Sequence, residues 1–166
     1  MDYEYYMKIA LDQARLALGA GEFPVACVLV HRNRILVTGA RKGTTGDGLN
    51  EIDHAEIVAL QRLLELENQV ERSQITAFST MEPCLMCYSA LILAGIGSIV
   101  YAYEDVMGGG TGCDLSQLNP LYKTSSVKIV PNILRHESLK LFKDYFVDPA
   151  NVYLKRSLLA EYTLGA

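Results

Sequence analysis

ITAFSTMEPCLMCYSALILAGIGSIVYAY, residues 75–103, is the stretch of this chain that most constrains its fold. Residues 75–79 and 99–103 have the β-branched and aromatic composition of strands. Between them, residues 84–94 are apolar on nearly every side, which predicts a buried helix. A strand, a helix and a strand in succession are typical of an α/β fold.

The alternation of helices and strands continues on both sides of this stretch. Upstream, the pattern predicts a helix over residues 4–18, a hairpin with its turn at Arg32-Asn33, and a helix over residues 55–67. Downstream, it predicts a short strand over 127–130, a helix over 134–146 and a last helix that Asn151 caps, ending at about Tyr162. We therefore expect a single domain over residues 1–166, with a mixed sheet covered by helices on both faces. The strand order stays open.

Charge and composition narrow the classes of partner. The chain has 166 residues and a net charge of -4, and its Lys and Arg residues form no long run. Because clustered cations bind phosphate backbones, this balance favours a small substrate over a nucleic acid. The first residues lack a basic and then apolar leader, and the longest apolar stretch is shorter than the ~20 residues of a membrane span. We expect a cytoplasmic protein without a membrane segment.

Two short motifs carry the chemistry: His54-Ala55-Glu56 and Pro83-Cys84-Leu85-Met86-Cys87. Each lies at the predicted start of a helix, where Cys84 and Cys87 project to one side because they are three residues apart. A catalytic zinc takes three protein ligands of imidazole, thiolate or carboxylate type and leaves one position for water. His54, Cys84 and Cys87 are the predicted Zn²⁺ ligands.

Glu56 converts the predicted metal site into a predicted enzyme. It lies two residues after a ligand, beside the expected open position. Zinc lowers the pKa of a water molecule to about 7, which makes a nucleophile at neutral pH. Glu56 would take the proton of that water and deliver it to the substrate, a form of catalysis worth about 10²–10⁴ in rate. A structural zinc has no use for a free carboxylate at this place.

Other interpretations of the cysteines remain open at this point. Cys84 and Cys87 alone would also suit a redox pair, although such a pair would leave His54-Ala55-Glu56 unexplained. A structural zinc in a non-catalytic binding module would need a fourth protein ligand. The candidates for that ligand are His31, His136, Cys27 and Cys113. Cys27 lies in an apolar run and is expected to be a core residue.

The two motifs match the H-x-E and P-C-x-x-C signature of zinc nucleobase deaminases. With their surroundings they resemble the cytidine deaminase-like superfamily, close to its tRNA adenosine deaminases and guanine deaminases. The similarity extends from residues 21–30 through residues 80–96 to the helix near residues 133–146. It implies a three-layer α/β/α sandwich with a mixed five-stranded sheet, and a homodimer with active sites near the interface.

The resemblance also implies which residues contact the substrate. The family's zinc ligands and proton shuttle fall on His54, Cys84, Cys87 and Glu56. The backbone at Ala55 and near Glu82-Pro83 would contact the ring and its leaving amine. Phe23 and Pro24 would form a wall of the pocket, although Phe23 is equally consistent with an ordinary core position.

Departures from the family pattern bear on the substrate. The asparagine that the purine enzymes carry after the second strand is missing from residues 38–42, and Arg41 is its expected replacement. Arg41 would then recognise a carboxylate or phosphate on a small ligand, or else be a surface residue. The arginine-rich tail of the tRNA enzymes is also missing after Phe146. We therefore expect deamination of a small aminated heterocycle, with tRNA wobble adenosine as the alternative substrate.

Overall fold

A five-stranded mixed sheet forms the centre of the computed structural model, which describes residues 1–45, 49–66 and 70–166. The strands lie in the order β2-β1-β3-β4-β5. β1 pairs antiparallel with β2 and β3, whereas β3, β4 and β5 are parallel. The predicted mixed sheet is confirmed. The strands are β1 (Ala26–His31), β2 (Arg34–Ala40), β3 (Ile75–Met81), β4 (Ser98–Tyr103) and β5 (Lys128–Val130).

Helices cover both faces of this sheet and complete the predicted three layers. α1 packs against one face, mainly on β1 and β3, while α2 and α3 pack against the other. α5 closes the end of the core beside β4. Within the described ranges, no helix combines the length and the apolar composition that a bilayer crossing requires. The helices are α1 (Tyr3–Gly19), α2 (Ala55–Leu64), α3 (Leu85–Leu93), α4 (Pro120–Lys123), α5 (Arg135–Val147) and α6 (Leu158–Gly165).

The alternation of side chains along β1 separates the two halves of the core. Ala26, Val28 and Val30 pack in the cluster that includes α1. Cys27 and Leu29 point the opposite way, into the cluster that includes α2, α3 and α5. Because successive residues of a strand face opposite sides of a sheet, one apolar strand supplies both clusters. The prediction that Cys27 is a core residue is confirmed.

The hairpin between β1 and β2 has the predicted turn. Arg32 and Asn33 have φ angles of 48° and 64°. Positive φ at both central residues is the requirement of a two-residue type I′ turn, whose twist matches that of the flanking strands. The hairpin thus places β2 at the edge of the sheet, where the chain leaves towards α2.

Residues 84–94 contain the predicted helix, α3, but the prediction that this helix is buried is wrong. Only Cys87, Tyr88 and Leu91 of α3 are buried, whereas Leu85 and Leu93 are 55% and 57% exposed. α3 lies in an outer layer of the sandwich, so one face of it meets no other part of the described chain. An apolar composition on every side of a helix does not show that other parts of the same chain cover every side.

The last helix begins later than predicted. Asn151 does not cap it; the Asn151 side chain donates to the carbonyl oxygen of Tyr145 at 3.1 Å and ties the chain to α5. Leu154 then has a φ of 55°, which interrupts helical geometry. The N-cap of α6 is Ser157, whose side chain accepts from the backbone of Ala160. Upstream, α2 ends at Leu64, and the predicted end at Glu67 lies outside the described residues.

Gly39 in β2 sets how closely α2 approaches the sheet. A Cβ atom at this position would lie 2.2 Å from the carbonyl oxygen of Ala55 and 2.6 Å from the backbone nitrogen of Ala59. Only glycine allows this contact, because neither obstacle is a side chain that can move aside. The first turn of α2 can therefore lie this close to β2 only because residue 39 is a glycine.

We expect Gly39→Ala to lower the free energy of unfolding by about 1–3 kcal/mol, the usual cost of overpacking. It should also lower the zinc content, because the first turn of α2 must move. Thermal denaturation and metal analysis measure the two effects. Gly112→Ala is the matched control, since a Cβ there meets nothing within 4 Å. Equal melting temperatures for the two variants would contradict the proposed constraint.

Candidate metal centre and active site

The two sequence motifs meet where two helices begin. His54 is the N-cap of α2 and Cys84 is the N-cap of α3, and both have extended backbone geometry. Cys87 lies in the first turn of α3 and is buried. The positive ends of the two helix dipoles therefore point at the same place, just beyond the end of β3, where they favour thiolates.

The nitrogen and sulfur atoms of these three residues have the spacing of a zinc site. One ligand atom from each of His54, Cys84 and Cys87 lies within 4.8 Å of the others. Nδ1 of His54 is 3.4 Å from Sγ of Cys84. Zinc bonds of about 2.0–2.3 Å place tetrahedral ligand atoms roughly 3.3–3.8 Å apart, and imidazole with two thiolates is a donor set that zinc prefers. These residues fit the ion.

No fourth protein ligand joins the group within residues 1–45, 49–66 and 70–166. The alternative of a structural zinc would require one. The four candidates named from the sequence, His31, His136, Cys27 and Cys113, all lie in the described part of the chain and outside the group. Three protein donors leave one tetrahedral position for water or substrate.

The two thiols of the centre share one proton in the absence of a metal. Hydrogen bonding with Cys87, which outweighs burial, lowers the pKa of Cys84 to about 4. The same interaction and burial raise the pKa of Cys87. One thiolate is therefore present at neutral pH before metal arrives, which favours capture of a cation.

Glu56 is buried beside the three donors without being one of them. Its side chain lies in the first turn of α2 and is 2% exposed. Ser79, in β3, donates its hydroxyl to Oε1 of Glu56 at 2.6 Å. Burial raises the pKa of Glu56 despite this hydrogen bond. A buried carboxyl group with a raised pKa is suited to accept and return a proton.

A cavity of about 310 Å³ opens beside the metal-binding group and Glu56. Its size is at the lower end of the range for small-molecule sites. Apolar side chains form much of its wall, and a few polar groups converge on it. Its lining residues include Phe23, Arg41, Glu51, His54, Glu56 and Tyr153.

The structure separates the predicted substrate residues into two groups. Phe23, Arg41, Ala55 and Glu82 line the cavity, as does Asp105. Pro24 and Pro83 are buried and lie outside that lining. Phe23 also packs against aromatic rings of the core. It is therefore part of the cavity wall and of the core, the two positions that the sequence suggested. Contacts of these residues with substrate stay predictions.

Glu82 and Pro83 hold the loop after β4 in place. The side chain of Glu82 accepts from the backbone nitrogens of Asp105 and Thr111, each at 3.2 Å. The carbonyl oxygen of Pro83 accepts from the backbone of Gly110 at 2.9 Å. The P-C-x-x-C motif thus also anchors the loop that forms one side of the cavity.

Three residues of the site carry no signal in the sequence. Glu51 accepts from Nη2 of Arg41 at 2.9 Å and from the hydroxyl of Tyr153 at 2.8 Å. Burial, together with the hydrogen bond to Glu51, raises the pKa of Tyr153 to about 12, so its hydroxyl stays protonated and donates. Ser79 is the third residue. Glu51 and Tyr153 are 102 residues apart, and no motif joins them.

The sequence matches a known protein family over more than half of its length. Residues 1–103 match the cytidine and deoxycytidylate deaminase zinc-binding region. The chain belongs to this zinc deaminase family. The resemblance expected from the sequence is confirmed, and with it the zinc cofactor and the class of enzyme, a hydrolase that acts on C–N bonds.

Relatives of this deaminase include tRNA-specific enzymes. The chain is 30% identical over 145 residues to tRNA-specific adenosine deaminase subunit tad2 of Schizosaccharomyces pombe, covering 87% of this chain and 37% of that protein. It is 30% identical over 153 residues to tRNA-specific adenosine deaminase 2 of Danio rerio, covering 87% and 71%.

Among solved structures, one from a study of A-to-I editing by tRNA:A34 deaminases matches with a TM-score of 0.66 and 25% identity. The match covers 82% of this deaminase and 98% of that chain. The neighbour supports the expected cytidine deaminase-like fold.

We expect Cys84→Ser to lose zinc and to melt at a lower temperature. The ligands come together only in the folded chain, so zinc binding stabilises the folded state. Zinc per chain and the melting temperature, each measured with and without a chelator, check this. Cys113→Ser is the matched control, since Cys113 is exposed and outside the donor group. Full zinc content in Cys84→Ser would remove Cys84 from the ligand set.

Proposed function

We propose that this deaminase hydrolyses the exocyclic amine of a nucleobase-like heterocycle to a carbonyl and releases ammonia. His54, Cys84 and Cys87 would hold the zinc, and Glu56 would move the protons. The observation that carries the proposal is the convergence of three metal donors and a buried carboxyl group beside one cavity. Bound zinc would supply a Lewis acid that makes water nucleophilic at neutral pH.

Glu56 has the position for both proton transfers of this reaction. Overall, water adds its oxygen to the ring carbon, the C–N bond breaks, and the amine leaves as ammonia. Glu56 would accept one proton from the water and pass it to a ring nitrogen, and would then take the second proton from the added hydroxyl group and give it to the departing amine as the carbonyl forms. Ser79 donates a hydrogen bond to Oε1 and so restricts the orientation of the carboxyl group. Burial keeps bulk water from competing for these protons.

Replacement of Glu56 by Gln tests the proposal. We expect Glu56→Gln to retain zinc but to release ammonia at least 10²-fold more slowly, because an amide cannot accept the proton. Coupled ammonia detection over purine, pyrimidine and pterin-like amines gives the rate. Glu65→Gln, at an exposed position just after α2, is the control and should match the unmodified enzyme. Unchanged turnover in Glu56→Gln would exclude Glu56 from the mechanism.

A second candidate substrate is wobble adenosine in tRNA, which would be converted to inosine. The relatives favour it, since those compared are named tRNA-specific adenosine deaminases. The charge of this chain does not favour a tRNA substrate. The net charge is -4, and Val147-Asp148-Pro149 follows Phe146 where a basic tail would grip the anticodon stem.

The ammonia assay separates the two substrates when an anticodon stem-loop is included. A protein that neutralises several phosphates loses affinity steeply as salt rises, with a logarithmic slope of about -0.7 per contact for single strands. Deamination of the stem-loop with a steep salt slope would establish the tRNA candidate. Turnover of free heterocycles with a flat salt response would establish the small-molecule substrate.

We also propose that the deaminase forms a homodimer through the outer face of α3. Leu85 and Leu93 expose apolar area there, and Leu64 of α2 is 67% exposed. Large apolar side chains that the described chain leaves exposed are a common feature of protein interfaces. Sedimentation velocity measures the oligomeric state, and we expect Leu85→Lys to convert the dimer to a monomer. A monomer at all concentrations of the unmodified protein would overturn this proposal.

A further inference from the structure

We propose that Glu51 is a positioning residue of the metal centre, which orients the imidazole ring of His54 and is itself held by Arg41 and Tyr153. This role goes beyond the proposed function, because it concerns how the chain presents a metal donor and not what the site converts. Three observations support it: the neighbours of the two nitrogens of His54, the hydrogen bonds of Glu51, and the burial of Arg41.

The two nitrogens of the His54 ring face different partners. Nδ1 lies 3.4 Å from Sγ of Cys84, on the side of the three metal donors. Nε2 lies 3.9 Å from Oε2 of Glu51. An imidazole that binds a metal through one nitrogen commonly donates the proton of its other nitrogen to a carboxylate, which fixes the tautomer and the orientation of the ring. Glu51 has the position of that carboxylate.

The distance between Glu51 and His54 decides how the two groups interact. At 3.9 Å it is roughly 1 Å longer than an N–H···O hydrogen bond. The carboxylate therefore acts on the ring through its negative charge, which favours the tautomer with its proton on Nε2 and leaves the lone pair of Nδ1 for a cation. The side chains are 25% and 57% exposed, so solvent weakens this attraction. The carboxylate must then be well placed to have an effect.

Two hydrogen bonds hold the carboxylate of Glu51 in place. Oε2, the oxygen that faces His54, accepts from Nη2 of Arg41 at 2.9 Å and from the hydroxyl of Tyr153 at 2.8 Å. An exposed glutamate without such partners samples several rotamers, and ordering it costs conformational entropy. The two donors offset this cost and keep the same oxygen beside the ring.

Arg41 is fixed by its own surroundings and can serve as an anchor. It follows β2 directly, and its backbone nitrogen donates to the carbonyl oxygen of Val25 at 2.8 Å. Its side chain is 3% exposed, so the surface position that the sequence also allowed is wrong. Arginine is rarely buried this completely unless it is paired. The pairing with Glu51 joins this buried cation to the surroundings of His54.

Tyr153 is the second anchor and comes from the segment between α5 and α6. Burial, together with the hydrogen bond to Glu51, raises the pKa of Tyr153 to about 12, so the hydroxyl keeps its proton and donates. The ring centroid lies 5.5 Å from that of Phe23, and the guanidinium carbon of Arg41 lies at the same distance from it. Packing therefore holds Tyr153 independently of its hydroxyl group.

Zinc affinity tests this role without a substrate. Competition with a chromophoric chelator gives the dissociation constant of zinc for the full chain. We expect Glu51→Gln to raise this constant about 10- to 100-fold, the usual effect of losing an outer partner of a metal-binding His. Asp53→Asn is the matched control. It removes the same charge next to His54, at a residue whose side chain bonds Asn50, and should leave the constant nearly unchanged.

Tyr153→Phe separates positioning from the ion pair. It removes one hydroxyl and keeps the pairing of Arg41 with Glu51, which covers the case in which Glu51→Gln does not fold. We expect a smaller rise in the zinc dissociation constant. When both substitutions are combined, loss of the hydroxyl should have no further effect, because Tyr153 acts through Glu51. Melting temperatures of the zinc-free variants report any general loss of stability.

The ring of His54 gives a readout that a merely structural role would not move. A nitrogen–proton correlation spectrum of the isotopically labelled, zinc-loaded protein detects the proton on Nε2. The chain has three His residues, and the signal that changes on zinc loading belongs to His54. We expect this proton signal to move upfield in Glu51→Gln and in Tyr153→Phe, because the carboxylate that deshields it is lost or displaced. It should stay in place in Asp53→Asn.

The outcomes separate this role from the proposed function. Equal rises in the zinc dissociation constant for Glu51→Gln and Asp53→Asn would show an effect of net charge and overturn the role of Glu51. An unchanged Nε2 signal in Glu51→Gln would overturn it as well, and additive effects of the two combined substitutions would exclude Tyr153 as its anchor. Absence of ammonia release by the unmodified protein, with the expected zinc affinities, would overturn the proposed function alone.

Discussion

The meeting of two helix starts beyond the end of β3 is the constraint on which the site depends. His54 and Cys84 are N-caps of α2 and α3, so their atoms approach to 3.4 Å only if both helices are held to the sheet at fixed points. Gly39 sets the approach of α2, and the hydrogen bonds of Glu82 and Pro83 set the surroundings of α3. The metal centre is therefore a product of packing outside it, in agreement with the coupling of metal binding to folding.

The same arrangement places a carboxyl group where it is costly to bury. Glu56 lies on the first turn of α2 because the chain must turn into that helix directly after His54. Burial raises its pKa, and Ser79 of β3 supplies one hydrogen bond. A carboxyl group in this condition destabilises the fold unless a cation or a substrate is near. The structure thus keeps in its core a carboxyl group with a raised pKa, a feature that is common in active sites.

Local signals in the sequence predicted the groups His54-Ala55-Glu56 and Cys84 with Cys87, because the spacing within each motif is set within one helical turn. The alternation along β1 and the turn at Arg32-Asn33 are equally local. The burial of α3 could not be predicted, since composition does not tell which element covers a face. The start of α6 was misplaced because the Asn151 side chain bonds Tyr145, a contact that competes with capping. The strand order and the pairing of Glu51 with Tyr153 are long-range, and no pattern in one sequence reports them.

The charge at Arg41 explains why those long-range partners are present. A cation that is 3% exposed requires a counter-charge, and Glu51 supplies it. Glu51 is largely exposed, and the hydroxyl of Tyr153 holds it in place from the segment between α5 and α6. The ring of Tyr153 also lies 5.5 Å from the guanidinium carbon. The other terminal nitrogen of the guanidinium group, Nη1, is buried and has no hydrogen-bond partner among the residues that the structure describes. Glu51 and Tyr153 therefore satisfy the charge of Arg41 but only part of its hydrogen-bonding capacity.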